Sequence, residues 1–206
     1  MTREKGIIYS ARIVSALFNP FYLPVVGMIL LFALSDMNLL PISYRLQIIL
    51  LTYVFTAFMP TLFIALYRRY HGWTLIQLGN RQRRMVPYII AMVCYLACAW
   101  VLYANKAFYF CMVIVLASLV VQVVCALVNV WWKISTHSAA IGGVAGALIF
   151  FANYYHFNPV WWLALVLLLA GVLGTARIIL RQHSLSQVLG GFGVGLVCAI
   201  VSFLLL

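Results

Sequence analysis

Apolar stretches long enough to cross a bilayer recur near residues 13–34, 46–67, 87–104, 107–131, 138–153, 159–180 and 185–206, and no other feature constrains the fold as strongly. A hydrocarbon core about 30 Å thick is crossed by about 20 residues of helix. Backbone groups in lipid must be bonded within their own segment, so such runs become helices. With 67% hydrophobic and 7% charged residues, the chain lacks the polar material for a water-facing domain. The expectation is an all-α integral membrane protein: one transmembrane domain over residues 1–206, a bundle of about six to seven helices, with no room for a separate soluble domain.

The composition also removes chemistries. Glu4 and Asp36 are the two carboxylates in the chain, too few for paired-carboxylate catalysis, an oxygen-ligand metal site or an aspartate-rich magnesium site of the kind used in aromatic prenyl transfer. Cys94, Cys98, Cys111, Cys125 and Cys198 are odd in number, lie in apolar runs and show no CxxC spacing, so they read as buried apolar residues. No metal and no cofactor is expected. Trp131, Trp132, Trp161, Trp162 and Tyr154 stand at helix ends, where amphipathic rings anchor in the headgroup layer; they form a belt and not a stacking platform, and nucleic acid is not expected as a partner. Arg3, Lys5 and Arg12 ahead of an apolar run imitate a signal peptide, but no small-residue cleavage pattern follows, so the first helix is expected to be retained.

Turn residues at 35–41, 104–106 and 153–159 place three connections on one side of the membrane. The opposite side holds the N-terminus, the connections near 68–86, 132–137 and 181–184 and the end of the sixth helix, and there eleven of the thirteen Lys and Arg collect, all but Arg45 and Lys106. Counted by the positive-inside rule, that side is cytoplasmic. Gly142, Gly143 and Gly146, and Gly190, Gly191, Gly193 and Gly195, carry GxxxG spacing and read as helix-packing surfaces. His71 and His156 read as interfacial polar residues.

Ionisable groups at the rim of membrane helices are costly to place and mark function. Here they gather at three points on one face: GNRQRRMVPY, with Arg81, Arg83 and Arg84 ahead of Pro87; KISTHS, with Lys133, Ser135, Thr136, His137 and Ser138; and ARIILRQHSLSQ, with Arg177 and His183. Taken singly, each has a bland reading as a lipid-touching basic loop, a snorkelling cation or a hydrogen-bonded histidine. Taken together they are the set that phosphoryl transfer needs. Arg binds phosphate oxygens two at a time, and a helix opening at Ser135 to Ser138 aims N–H groups and its dipole at an anion. One imidazole can attack phosphorus while the other protonates the departing oxygen.

These residues resemble the motifs of the type 2 phosphatidic acid phosphatase superfamily, in its membrane lipid phosphatase branch: KxxxxxxRP, then PSGH, then SRxxxxxHxxxD. ARIILRQHSLSQ is similar to the third, with five residues between Arg177 and His183 and Gln187 in place of the Asp. ISTH is similar to the second, with Ile134 for Pro and Thr136 for Gly, and NRQRRMVP keeps only basic residues ahead of a proline. The similarity covers about residues 80–195 and marks a divergent member. It implies a metal-independent phosphatase in which His183 is the nucleophile and forms a phosphohistidine, and His137 is the general acid. Arg177, Ser135, Thr136, Lys133, Arg81 and Arg84 would hold the phosphate, and Gln187 would orient His183. A Gln carbonyl can accept the imidazole N–H but brings no charge to stabilise imidazolium.

The expected substrate is a lipid phosphate or isoprenoid diphosphate drawn from the cell membrane, in which the chain is integral and multi-pass. The resemblance often implies an active face on the side opposite to the one that charge counting favours. Two alternatives stand beside hydrolysis: a non-catalytic descendant that binds or moves anionic lipids, and a phosphotransferase that passes the headgroup to an alcohol.

Overall fold

The computed structural model describes residues 3–72, 83 and 85–206. They form nine α-helices and no strand among the described residues: α1 Arg3–Leu17, α2 Leu23–Leu34, α3 Ile42–Tyr53, α4 Met59–Tyr70, α5 Met85–Ala104, α6 Tyr109–Trp131, α7 Thr136–Tyr154, α8 Val160–Ile179 and α9 Leu185–Leu205. Grouped by continuity they make seven segments long and apolar enough to span a membrane, with α1 and α2 sharing Lys5–Leu34 and α3 and α4 sharing Ile42–Tyr70.

The first apolar stretch is not the single helix its composition suggests. Proline removes an N–H, clashes with the preceding turn and pushes the residue before it out of the helical region. Asn19 accordingly takes φ −61°, ψ 131°, and its side-chain oxygen accepts the Phe21 N–H at 3.1 Å, capping a short 3-10 turn at Pro20–Tyr22. Helix α1 is thereby released from the line of α2 and packs on α8, whereas α2 packs on α3 and α6. A second proline has a milder effect. Pro60 follows a π-turn at Val54–Phe58, which widens the ladder where the ring would otherwise collide. Thr56 within that turn donates to the Thr52 carbonyl at 2.8 Å.

Helices α7 and α9 are the most closely packed pair. The cause is glycine: a Cβ at Gly142 would collide with the Phe192 carbonyl, one at Gly195 with the Ala139 carbonyl, and one at Gly146 with the Leu196 carbonyl. The expected GxxxG surfaces are thus one interface, and it sets the first turn of α7 beside the first turn of α9. At the opposite end of the bundle, Phe110, Phe150, Phe151, Tyr155 and Phe203 interlock edge to face and stacked.

Candidate active site

Helix α8 ends two residues beyond Arg177. The Leu180 N–H reaches the Ala176 carbonyl at 3.0 Å, the Gln182 N–H reaches the Arg177 carbonyl at 3.1 Å, and Arg181 adopts the left-handed conformation at φ 52°. A residue in that region reverses the chain at a helix end. Ser184 then caps α9: its hydroxyl accepts the Gln187 N–H at 3.4 Å while Gln187 Oε1 accepts the Ser184 N–H at 3.3 Å, a reciprocal capping box. The tight reversal and this cap set His183 against Gln187, with 6% of its surface exposed.

Gln187 Oε1 also stands 3.1 Å from His183 Nδ1. The backbone N–H of Ser184 is a donor whatever the tautomer, so the amide atom it meets is the oxygen. An oxygen acceptor facing Nδ1 requires that nitrogen to carry the hydrogen. The neutral imidazole then bears its lone pair on Nε2, the nitrogen that can act as a nucleophile.

At the start of α7, Ser135 is the N-cap and is fully buried; its hydroxyl accepts the Ser138 N–H at 3.3 Å and the Ser138 hydroxyl at 2.9 Å. Its own N–H donates to the Gln187 carbonyl at 3.3 Å, which fastens the two helix starts together. Thr136 and His137 are the first two residues of α7, where N–H groups and dipole favour an anion.

Thr136, His137 and Arg177 line one cleft of about 260 Å³, together with Asn19, Pro20 and Tyr88. Arg177 is 6% exposed and donates from one terminal nitrogen to Ser15 Oγ at 2.6 Å. The cleft adjoins an apolar slot through three residues common to both, Pro20, Gln122 and Thr136. The slot follows one face of α7 through Ala140, Gly143, Val144, Ala147, Leu148, Phe151 and Tyr155, with α2 and α6 opposite. At 1.5 Å per residue, Thr136 to Tyr155 is roughly 28 Å, close to the thickness of a bilayer core. Asp36 stands near Tyr155, at the end of the bundle away from the cleft.

The structure therefore brings Thr136, His137 and Arg177 to one cleft, and His183 and Gln187 into one hydrogen bond joined to the same helix start. Lys133 is half-buried in the turn before α7. Ser135 is placed as the cap, with its hydroxyl engaged there. Arg81 and Arg84 lie outside the described residues. The sequence reading passed over Ser15, Tyr88 and Gln122. Gln122 carried a signal, being an amide in the middle of an apolar span; Ser15, an ordinary serine in a helix read as generic, carried none.

Residues 125–206 match the family model described as PAP2 superfamily. No curated protein and no solved structure matches the chain. Members of that superfamily are in general phosphatases acting on phosphate esters. The matched segment runs from the last turns of α6 to the carboxy terminus and carries His137, Arg177, His183 and Gln187, while α1 to α5 lie outside it. Over this segment, less than half of its length, the chain is similar to the PAP2 superfamily.

Proposed function

We propose that the protein is a membrane-embedded phosphatase that hydrolyses a lipid phosphate or isoprenoid diphosphate through a phosphohistidine on His183, without a metal. The observation that carries the reading is the junction of two spaces. The cleft lined by His137 and Arg177 shares Pro20, Gln122 and Thr136 with an apolar slot whose lining residues on α7 extend roughly the thickness of a bilayer core. A headgroup with a hydrocarbon tail fits that pairing of environments.

In the first step the Nε2 lone pair of His183 attacks phosphorus and the bond to the leaving oxygen breaks. Imidazolium His137 gives its proton to that oxygen, so the leaving group departs as an alcohol or a lipid monophosphate. Arg177 and the N–H groups at the start of α7 bind the equatorial oxygens, whose charge grows in the transition state. In the second step, water attacks the phosphorus of the phosphohistidine and His137, now neutral, takes its proton. The P–N bond breaks, inorganic phosphate leaves, and His183 returns to the neutral tautomer that Gln187 favours.

With Arg81, Arg84, Lys133 and Arg177 set aside as phosphate-binding, the sequence leaves seven basic residues on the side of the motifs against two opposite, which favours a cytoplasmic site by the positive-inside rule. The test is release of inorganic phosphate by purified protein, with chelator present, from phosphatidate, phosphatidylglycerol phosphate, undecaprenyl diphosphate and sphingoid phosphates. Chelator-resistant release that disappears in His183→Ala is expected. Binding of these lipids without turnover would favour a lipid-binding descendant, and transfer of phosphate to added alcohols would favour a phosphotransferase.

A further inference from the structure

The contact between Arg177 and Ser15 joins residues 162 positions apart and links the matched segment to a helix outside it. We infer that Ser15 is a positioning residue for phosphate binding: its hydroxyl fixes the plane of the Arg177 guanidinium without neutralising it, so α1 is part of the phosphate site. This rests on the proposed role of Arg177 toward phosphate and adds a residue from outside the family motifs.

Three observations support it. A guanidinium is a flat fork whose usefulness toward phosphate depends on its orientation. Arg177 is almost buried, so bulk water does little to orient it, and one terminal nitrogen is anchored to Ser15 Oγ at 2.6 Å. The anchor is a hydroxyl. A carboxylate in that position would hold the fork as firmly but would compete with the incoming anion; a hydroxyl orients the cation and leaves its charge to the phosphate. Finally, the break that sends α1 toward α8 lies at Asn19 and Pro20, and both residues line the cleft that Arg177 lines. The same local event shapes the cleft wall and delivers Ser15 to Arg177.

The experiment uses the full chain in detergent, with inorganic phosphate as the binding probe and a short-chain phosphatidate as the kinetic one. Ser15→Ala and Ser15→Val remove the hydroxyl, and Ser15→Thr retains it on the shape of Val. Arg177→Gln reports on the phosphate site itself. Loss of one hydrogen bond to a charged group corresponds to about tenfold in affinity. The expected result is phosphate binding weakened about tenfold in Ser15→Ala and Ser15→Val and restored in Ser15→Thr. KM should rise more than kcat falls, with Tm in the absence of phosphate unchanged among the three. Wild-type binding in Ser15→Val, or equal loss in Ser15→Thr and Ser15→Val, overturns the inference while a weakened Arg177→Gln preserves the phosphate site. Wild-type binding in Arg177→Gln overturns the site and the inference with it. Because binding is read without turnover, the outcome for Ser15 is decided even in a protein that hydrolyses nothing.

Discussion

Replacing Gln187 by Glu tests how this site works with an amide where the superfamily motif has a carboxylate. The two side chains have the same shape, so Glu can hold the positions 3.1 Å from His183 Nδ1 and 3.3 Å from the Ser184 N–H. It also retains the capping box and suits the first turn of a helix. What it adds is a full negative charge beside an imidazole that, in the proposed mechanism, turns positive as it attacks phosphorus. Two unit charges about 4 Å apart attract by about 4 kcal/mol at an effective dielectric of 20. Desolvation of a half-buried carboxylate offsets part of this, and hydrogen bonds to charged groups net about 1.5–3 kcal/mol. The transition state therefore gains about tenfold to a hundredfold in rate. Gln187→Leu removes the acceptor from both His183 and Ser184, with an expected loss of similar size in rate and about 1 kcal/mol in stability from the lost cap. The assay is phosphate release at saturating short-chain phosphatidate, each protein at its own optimum pH, with Tm measured in parallel. A Gln187→Glu protein of unchanged Tm that is no faster than wild type would refute the claim that the missing charge limits the rate.

Other consequences concern the acid, the slot and the helix pair. His137→Ala should slow the burst release of the alcohol from an alkyl phosphate by about a hundredfold or more, but much less the burst release of p-nitrophenol from p-nitrophenyl phosphate, whose leaving group needs no proton; equal losses in the two bursts would remove His137 as general acid. Gly143 lines the slot, and a Cβ there would meet nothing closer than 3.9 Å, so Gly143→Leu should fold, raise KM for long-chain lipid phosphates several-fold and leave short-chain ones nearly unchanged. Gly195→Ala drives a methyl into the Ala139 carbonyl and should lower stability by about 1–3 kcal/mol, whereas Gly171→Ala meets no atom within 4 Å and should leave thermal unfolding unchanged or slightly raised.

The parts that were legible in the sequence were those encoded locally. Seven apolar runs gave seven spans because lipid leaves the backbone no alternative to helix. The unit from His183 to Gln187 was legible because its contacts lie within four residues, where capping geometry follows from residue type. The glycine runs on α7 and α9 announced a close pair. What the sequence hid depends on where chain segments go after they break. The stretch near 13–34 is apolar throughout, so hydropathy counting treats it as one helix; Asn19 and Pro20 divide it, and α1 then carries Ser15 to a partner 162 residues away. The neighbouring cleft and slot are likewise products of several helices meeting, with lining residues from α2, α4, α5, α6, α7, α8 and α9. Gln122, at their junction, lies on the face of α6 opposite the slot-lining face of α7, and period alone assigns it no neighbour.

The central claim is a covalent phosphate on His183, and chemical trapping reads it most directly. Lipid phosphate labelled with ³²P on its terminal phosphoryl is mixed with purified protein, quenched in base during turnover, and the chain is digested and mapped. The expected result is an acid-labile, base-stable label on the peptide carrying His183, absent from His183→Ala and accumulating in variants whose second step is slowed. Turnover without such a label in the wild type, or a label that survives in His183→Ala, would contradict it.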